Sequence, residues 1–322
     1  MLHQGLALAI AAFTFLQLLR GKWPRHVLTL AAGGLMVVVV LLGVMGSLDA
    51  VMEALSVDSF GKPQFWFAHG GVTERNVGIN WSTVLFLVGM MVMVEGMSEA
   101  GFFDWLCLRL AKLVGYKPVP LLVCFMILSA GLSMFIDSIT VILFLAVASV
   151  RLAHLLKFDP IPLIIAEIFT ANLGGAATMS GDPPNIIIGT ALGLSFGDFL
   201  RNTGVIVLVG MVVMVPYFYF CFRKQVQSWD PQARQKVMEL DPRDSIHNRG
   251  QFAIHVILFL VVVVLLITHA QTGLTVATVG IIAAILTLLV NRWPLHLLRR
   301  VDWKTVLFFI GLFLAVSGLE QT

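Results

Sequence analysis

The sequence predicts an all-α polytopic membrane protein, and three observations carry that prediction. Of its 322 residues, 58% are hydrophobic and only 12% are charged, with a mean hydropathy of +0.93, a balance outside the globular range. The apolar residues gather in runs that approach the roughly 20 residues a helix needs to cross about 30 Å of hydrocarbon. Two runs have the wrong length for a simple crossing and are interrupted by small and polar residues. Lipid is therefore the main solvent. The formal charge of +3 is small and its positives lie between the runs, so they read as topology signals and make nucleic acid an unlooked-for partner. Cys107, Cys124 and Cys221 sit in or beside apolar segments without a CxxC or a His/Cys cluster, which argues against disulfides or a zinc site; no cofactor and no resident metal are expected.

The runs fall at about 5–19, 27–48, 81–97, 118–150, 160–194, 203–222, 252–268, 274–290 and 305–319. The first lacks a basic stretch before it and a cleavage site after it, so it reads as a membrane helix and not a signal peptide. The 20–26 link carries Arg20, Lys22 and Arg25 with no acid, whereas 49–80 carries Asp49, Glu53, Asp58 and Glu74 against Lys62 and Arg75. The former is then cytoplasmic and the N-terminus outside, in a plasma (inner) membrane. Glu95 and Glu99 mark a helix end at the interface, and Met90, Met91 and Met93 read as lipid-facing or core packing.

The 118–150 run would make a helix of roughly 50 Å, too long for one crossing, and it is broken at Gly131, Ser133, Asp137, Ser138 and Thr140. Each arm, near 20 Å, is too short to cross alone, so a re-entrant hairpin is expected. That hairpin also places Arg151/Lys157, the 223–250 loop with its six Lys/Arg, and the 291–304 link all inside, whereas a crossing would place all three outside. The 160–194 run is interrupted from Asn172 to Asn185 by Leu-Gly-Gly-Ala-Ala-Thr-Met-Ser-Gly-Asp-Pro-Pro, a poor helix. A broken helix is expected, its second fragment starting near Asp182 with prolines in the first turn and amides facing the break, an end that suits an anion. Asp182 and Asn185 could equally serve only as cap and turn former.

An internal repeat joins the two halves. Trp81-Ser-Thr-Val-Leu-Phe-Leu-Val-Gly89 returns as Trp303-Lys-Thr-Val-Leu-Phe-Phe-Ile-Gly311, and Gly96 has its counterpart in Gly318. The first copy runs inward and the second outward, an inverted-topology repeat of the kind found in secondary transporters. The organisation expected is scaffold helices at 1–117, a hairpin and broken-helix transport half at 118–222, a cytoplasmic linker at 223–250, with room for a surface-lying helix, and a second repeat at 251–322. The second copy reaches Thr322 before a hairpin or a broken helix, so half of the expected site is missing; a truncated product, a cut chain and a partner-dependent chain all fit.

At its two interrupted segments the sequence resembles the ion transporter superfamily, the group of arsenite permeases, sodium/proton antiporters, melanosomal P proteins, and citrate and dicarboxylate carriers. Ser133-Met-Phe-Ile-Asp-Ser-Ile-Thr140 looks like the family's hairpin tip. Asn172 to Asn185 looks like its helix break, closest to the P-protein and citrate-transporter-like arm. Where that arm often has Asn after the tip aspartate, and carboxylate carriers a Ser-Asn-Thr triplet, this chain has Asp137-Ser138-Ile139. The resemblance implies a binding site near the midplane made from Ser133, Asp137, Ser138 and Thr140 at the tip, and Asn172, Gly174, Gly175, Thr178, Gly181, Asp182 and Asn185 at the break.

Asp137 is an ionisable group in the membrane interior, where an unpaired charge costs several kcal/mol, so a functional role is the default. It could bind a cation or carry a proton, with Ser138 and Thr140 adding oxygen ligands for a transient sodium ion. Glu167, before the break, reads equally as a proton relay or as a residue facing a polar helix. His255 and His269, near helix ends, read as interfacial. The leading expectation is a secondary transporter of a small ion or anion coupled to sodium or protons, embedded in the bilayer, with room for a homodimer. A sodium/proton antiporter, a non-transporting membrane subunit and a channel are the alternatives; no HExxH, GxSxG or paired catalytic-Asp pattern supports an enzyme.

Overall fold

The structure, a computed structural model, describes residues 2–67, 78–226, 235, 237–239 and 241–322. Glu74 and Arg75 and the middle of the 223–250 linker lie outside the described residues. Among the described residues the fold is all-α, with one isolated antiparallel bridge between Phe67 and Leu274. In chain order, α1 is Leu2–Arg20, α2 Arg25–Leu35 (continued by a π-helix, Met36–Val44), α3 Leu48–Leu55, α4 Pro63–Trp66, α5 Trp81–Glu99 and α6 Phe102–Leu113. They are followed by α7 Pro118–Ser133, α8 Ser138–Leu156, α9 Ile161–Gly175, α10 Pro183–Leu192, α11 Phe196–Val226 and α12 Arg249–Ile267. The last four are α13 His269–Thr272, α14 Val276–Val290, α15 Pro294–Arg300 and α16 Trp303–Glu320. Among the described residues six helices are long and apolar enough to cross a membrane: α2 with its extension, α5, α8, α11, α12 and α16. On α11, Val205, Ile206, Leu208, Val209, Val212 and Val213 are all exposed, the surface an apolar helix presents to lipid.

Local chemistry sets the boundaries. Ser47, Asp137, Asn248 and Asp302 cap α3, α8, α12 and α16, each side chain accepting from first-turn amides. Prolines occupy the first turn of α7, α9 and α10, where a missing N–H costs nothing. Gly193 ends α10 at φ 65°, a conformation glycine adopts freely.

The helices divide into two compact units. One comprises Met1–Gly89, Gly273–Ile281 and Arg300–Thr322. In it α2 lies against α16 through small residues: a Cβ on Gly311 would come 2.5 Å from the Leu30 nitrogen, and one on Gly33 would come 3.0 Å from the Gly311 carbonyl oxygen. The first halves of α5 and α14 approach in the same way, since a Cβ on Gly89 would lie 2.0 Å from the Gly280 carbonyl oxygen. Close backbone approach of this kind is how helices gain dispersion energy where lipid removes the hydrophobic drive. Trp81 and Trp303 thus each open a helix whose glycine meets a helix from the other half of the sequence.

The second unit comprises Met90–Thr272 and Ile282–Arg299. Met90, Met91 and Met93 are buried, so packing is their role. His255 corrects the sequence reading: it is 1% exposed, not interfacial, with Nδ1 on the Gln251 carbonyl at 2.8 Å and its ring against Gly96, where a Cβ would lie 2.6 Å from Nε2. His269 is half-buried at a helix end. The interrupted 118–150 run is a helix pair, α7 and α8, turning at 134–137. The second arm is longer than expected. It runs to Leu156, 19 residues or about 28 Å, which is a spanning length. Both arms nevertheless return to one residue of α9, because Ser129 of α7 donates to the Glu167 carbonyl (2.8 Å) and Ser149 of α8 donates to Glu167 Oε1 (2.5 Å). An α8 that ran onward from α7 could not make the second bond.

Candidate functional site

Hairpin tip and helix break come together. The break is shorter than the sequence suggests: α9 continues through Gly175, so Asn172, Gly174 and Gly175 belong to its last turn and only 176–182 are irregular. Gly174 is helical because it must be small, as a Cβ there would lie 2.2 Å from the Ala130 carbonyl oxygen on α7. Across the junction Thr178 donates its hydroxyl to the Met134 carbonyl, and Ser180 donates to the same oxygen at 3.3 Å. Gly181 passes so close that a Cβ would be 2.7 Å from the Ser133 carbonyl oxygen and 2.3 Å from that of Gly175. Asn185 ties the break to itself, its Nδ2 donating to the carbonyls of Thr178 (2.9 Å) and Gly175 (3.1 Å).

Two carboxylates occupy the centre. Asp137, 9% exposed, takes the Thr140 amide (3.0 Å) and hydroxyl (2.9 Å) on Oδ2. Asp182 stands at the N-cap position of α10 but does not cap it. It reaches instead across to the hairpin, where Oδ1 accepts the Ser138 hydroxyl at 2.7 Å and the Ser138 amide at 3.4 Å. The Asp182 carboxylate rests on Gly175, where a Cβ would come within 2.4 Å of Oδ2. The structure therefore separates two readings of Asp182: it bridges the segments and is not a local cap.

The helix ends decide which charge this junction accommodates. C-terminal carbonyls of α7 and α9 and N-terminal turns of α8 and α10 converge, negative and positive dipole ends respectively. The expected row of free amides on α10 is not there. Its first two positions are Pro183 and Pro184, which have no N–H, and the Asn185 amide is bonded to the Asp182 carbonyl at 3.0 Å. The α8 amides of Ser138 and Thr140 are taken by the two carboxylates themselves. With its Ser138 and Thr140 amides occupied by Asp182 and Asp137, the junction presents mainly oxygen atoms, the donor type that hard cations take. Ser133 strengthens this: its hydroxyl is fully buried at the tip and has no hydrogen-bond partner among the described residues, an arrangement that calls for one.

Of the sequence-predicted residues, Ser133, Asp137, Ser138, Thr140, Gly175, Thr178, Gly181, Asp182 and Asn185 are gathered here, and Gly174 supports the approach from α9. Asn172 is not: its side chain is exposed and donates back along α9 to the Ile168 carbonyl at 2.7 Å. Glu167 also stands apart, eight residues and about 12 Å down α9, buried among Ser129, Ser149 and Thr170. Sequence reasoning missed Ser149, because a serine in an apolar run more commonly bonds its own helix, and Ser180, whose partner Met134 lies on the distant hairpin.

Residues 15–322 match the citrate transporter family. An uncharacterized transporter of Mycobacterium tuberculosis is 31% identical over 259 residues, 79% of this chain and 59% of the relative. The 46 kDa membrane protein of Mycobacterium leprae is 32% identical over 250 residues, 77% of this chain and 58% of its own length. The human P protein is 30% identical over 143 residues, 43% of this chain and 17% of that protein. The chain thus spans about three fifths of the length of the mycobacterial relatives it matches. On the match over almost its whole length, and with helices built to cross a bilayer, this chain is a member of the citrate transporter family of membrane proteins.

Proposed function

We propose that this chain builds the coupling-ion site of a secondary active transporter that moves a small anion, a carboxylate first and an arsenite-like or inorganic anion after it, with sodium or protons. The junction of tip and break carries this reading: two carboxylates, Asp137 and Asp182, with the orphan Ser133 hydroxyl and carbonyls from two helix ends, form an oxygen-rich centre inside an apolar fold. Bound charge of opposite sign lets a carboxylate substrate approach a centre that would otherwise repel it. The exchanged pairs Gly89/Gly280 and Gly33/Gly311 support an inverted repeat, in which alternating access turns on a site held between repeats. A sodium/proton antiporter is the second reading, favoured by the same acidic donor set, since a centre without free amides has less to offer an anion directly.

Flux into proteoliposomes decides between them, measured for citrate, arsenite and sodium, each with and without a pH gradient. Asp137→Asn should lower coupled flux at least tenfold, because it removes the charge that pairs with the cation while keeping the shape. Indifference of every flux to that change rules out the coupling role. Sodium movement against a pH gradient without any anion selects the antiporter.

A further inference from the structure

Glu167 is fully buried, and one of its oxygens is unaccounted for. Oε1 accepts the Ser149 hydroxyl at 2.5 Å, while Oε2 is buried without a hydrogen-bond partner among the described residues. The groups bonded to it are neutral, and the charges on the neighbouring helices, Asp104 of α6 and Arg151 of α8, pair with each other at 3.3 Å. From α7 comes Ser129, on the Glu167 carbonyl; from α8 comes Ser149; and from α6 comes the buried thiol of Cys107, near enough to interact electrostatically. On α9 itself Thr170 bonds backbone carbonyls, and α11, packed along α9, carries Tyr217, Tyr219 and Cys221, none of them bonded to Glu167. Among the described residues no Arg, Lys or His pairs with it. A bare carboxylate in such a place lacks both solvent and counter-ion. A protonated carboxyl needs neither, and its O–H would stand on the orphan Oε2.

We propose that Glu167 is a proton-binding site, separate from the tip–break junction, that is occupied in this conformation and carries the coupling proton of the transport cycle. The second half of that statement rests on the transporter reading; the first does not. In the step proposed, the Oε2–H bond breaks when the cycle admits water to α9, the proton passes to that water, and the carboxylate left behind is held by Ser149. Ser129 and Ser149 link Glu167 to both arms of the hairpin, so a hairpin movement alters the surroundings that keep the proton in place.

Two measurements on the full chain in lipid test this. The first is infrared difference spectroscopy at neutral pH, wild type against Glu167→Gln. The carbonyl stretch of a protonated carboxylic acid should be present in the wild type and lost in the variant, and Ser149→Ala should shift it by removing a hydrogen bond. An unchanged band in Glu167→Gln overturns the proposal whatever the transport assays give. The second uses proteoliposomes containing a trapped pH dye, with citrate as the driving solute. Glu167→Gln should retain citrate counterflow and lose citrate-driven proton movement at least tenfold. Wild-type stoichiometry of protons in that variant overturns the carrier role. Absence of citrate counterflow in the wild type removes the citrate reading alone, because the infrared band still decides whether Glu167 holds a proton.

Discussion

Gly175 and Gly181 stand a few residues apart, yet a methyl group at each meets a different kind of obstacle. At Gly181 the near atoms are all backbone, the carbonyl oxygens of Gly175 and Ser133 and the Gly175 Cα, which cannot rotate away. Gly181→Ala should therefore destabilise the protein by about 1–3 kcal/mol, the usual cost of overpacking, seen as a lower thermal midpoint in detergent. At Gly175 the obstacle is the Asp182 carboxylate, and a side chain can move. Gly175→Ala should leave the melting midpoint closer to wild type but push Asp182 off Ser138 and reduce flux. Gly131, on the same hairpin, has nothing within 4 Å, so Gly131→Ala serves as the control and should be neutral or stabilising by up to about 1 kcal/mol through helix propensity. If Gly181→Ala melts with the control, the tip and the break do not pack as described. The glycines of the break were legible in the sequence as shapers of backbone. What each one shapes was not, because Gly174 and Gly181 meet the distant hairpin at Ala130 and Ser133, and Gly175 meets a carboxylate whose direction the hairpin sets.

Helix pairs repeat the same logic on a larger scale. α5 and α16 share a motif, and Gly89 and Gly311 within it each let another helix approach, α14 in one case and α2 in the other. Leucine at either position should cost about 1–3 kcal/mol and by similar amounts, whereas Gly34→Leu, at an open position, should leave unfolding unchanged; thermal melts of the three variants make the comparison. Unequal costs would remove the support that these contacts give the inverted repeat. Hydropathy found the long helices and both interrupted runs, since Gly, Pro and Asp leave visible gaps in apolar sequence. It passed over α6, where Asp104, Arg109 and Lys112 dilute the apolar signal. It also placed His255 at an interface, because nearness to a helix end along the chain says nothing about which face of the helix is covered.

For the whole molecule the test is which face of the bilayer the two ends of the hairpin share, since α8 is long enough to span. Lys117 and Lys157 flank the hairpin. In a background without Cys107, Cys124 and Cys221, cysteines placed at 117 and 157 should react with a membrane-impermeant maleimide from the same face, the one that also labels position 22. Labelling from opposite faces would make α7 and α8 a crossing and would invert the orientation of everything after Lys157. The positive-inside rule favours a common face, since it then gathers the basic links on the cytoplasmic side.

By itself the sequence determined that the chain lives in lipid, where its helices interrupt, and which polar residues lie at the interruptions. Those facts are local: a run of apolar residues has no other solvent, and glycine, proline and aspartate mark the points where helical hydrogen bonding fails. Only the tertiary structure decided that the two interruptions meet, that Asp182 serves Ser138 and not its own helix, that the carboxylates consume the amides an anion would need, and that both arms of the hairpin close on Glu167. Each of these pairs residues far apart in the chain, and such pairings are fixed by packing, which no local pattern encodes.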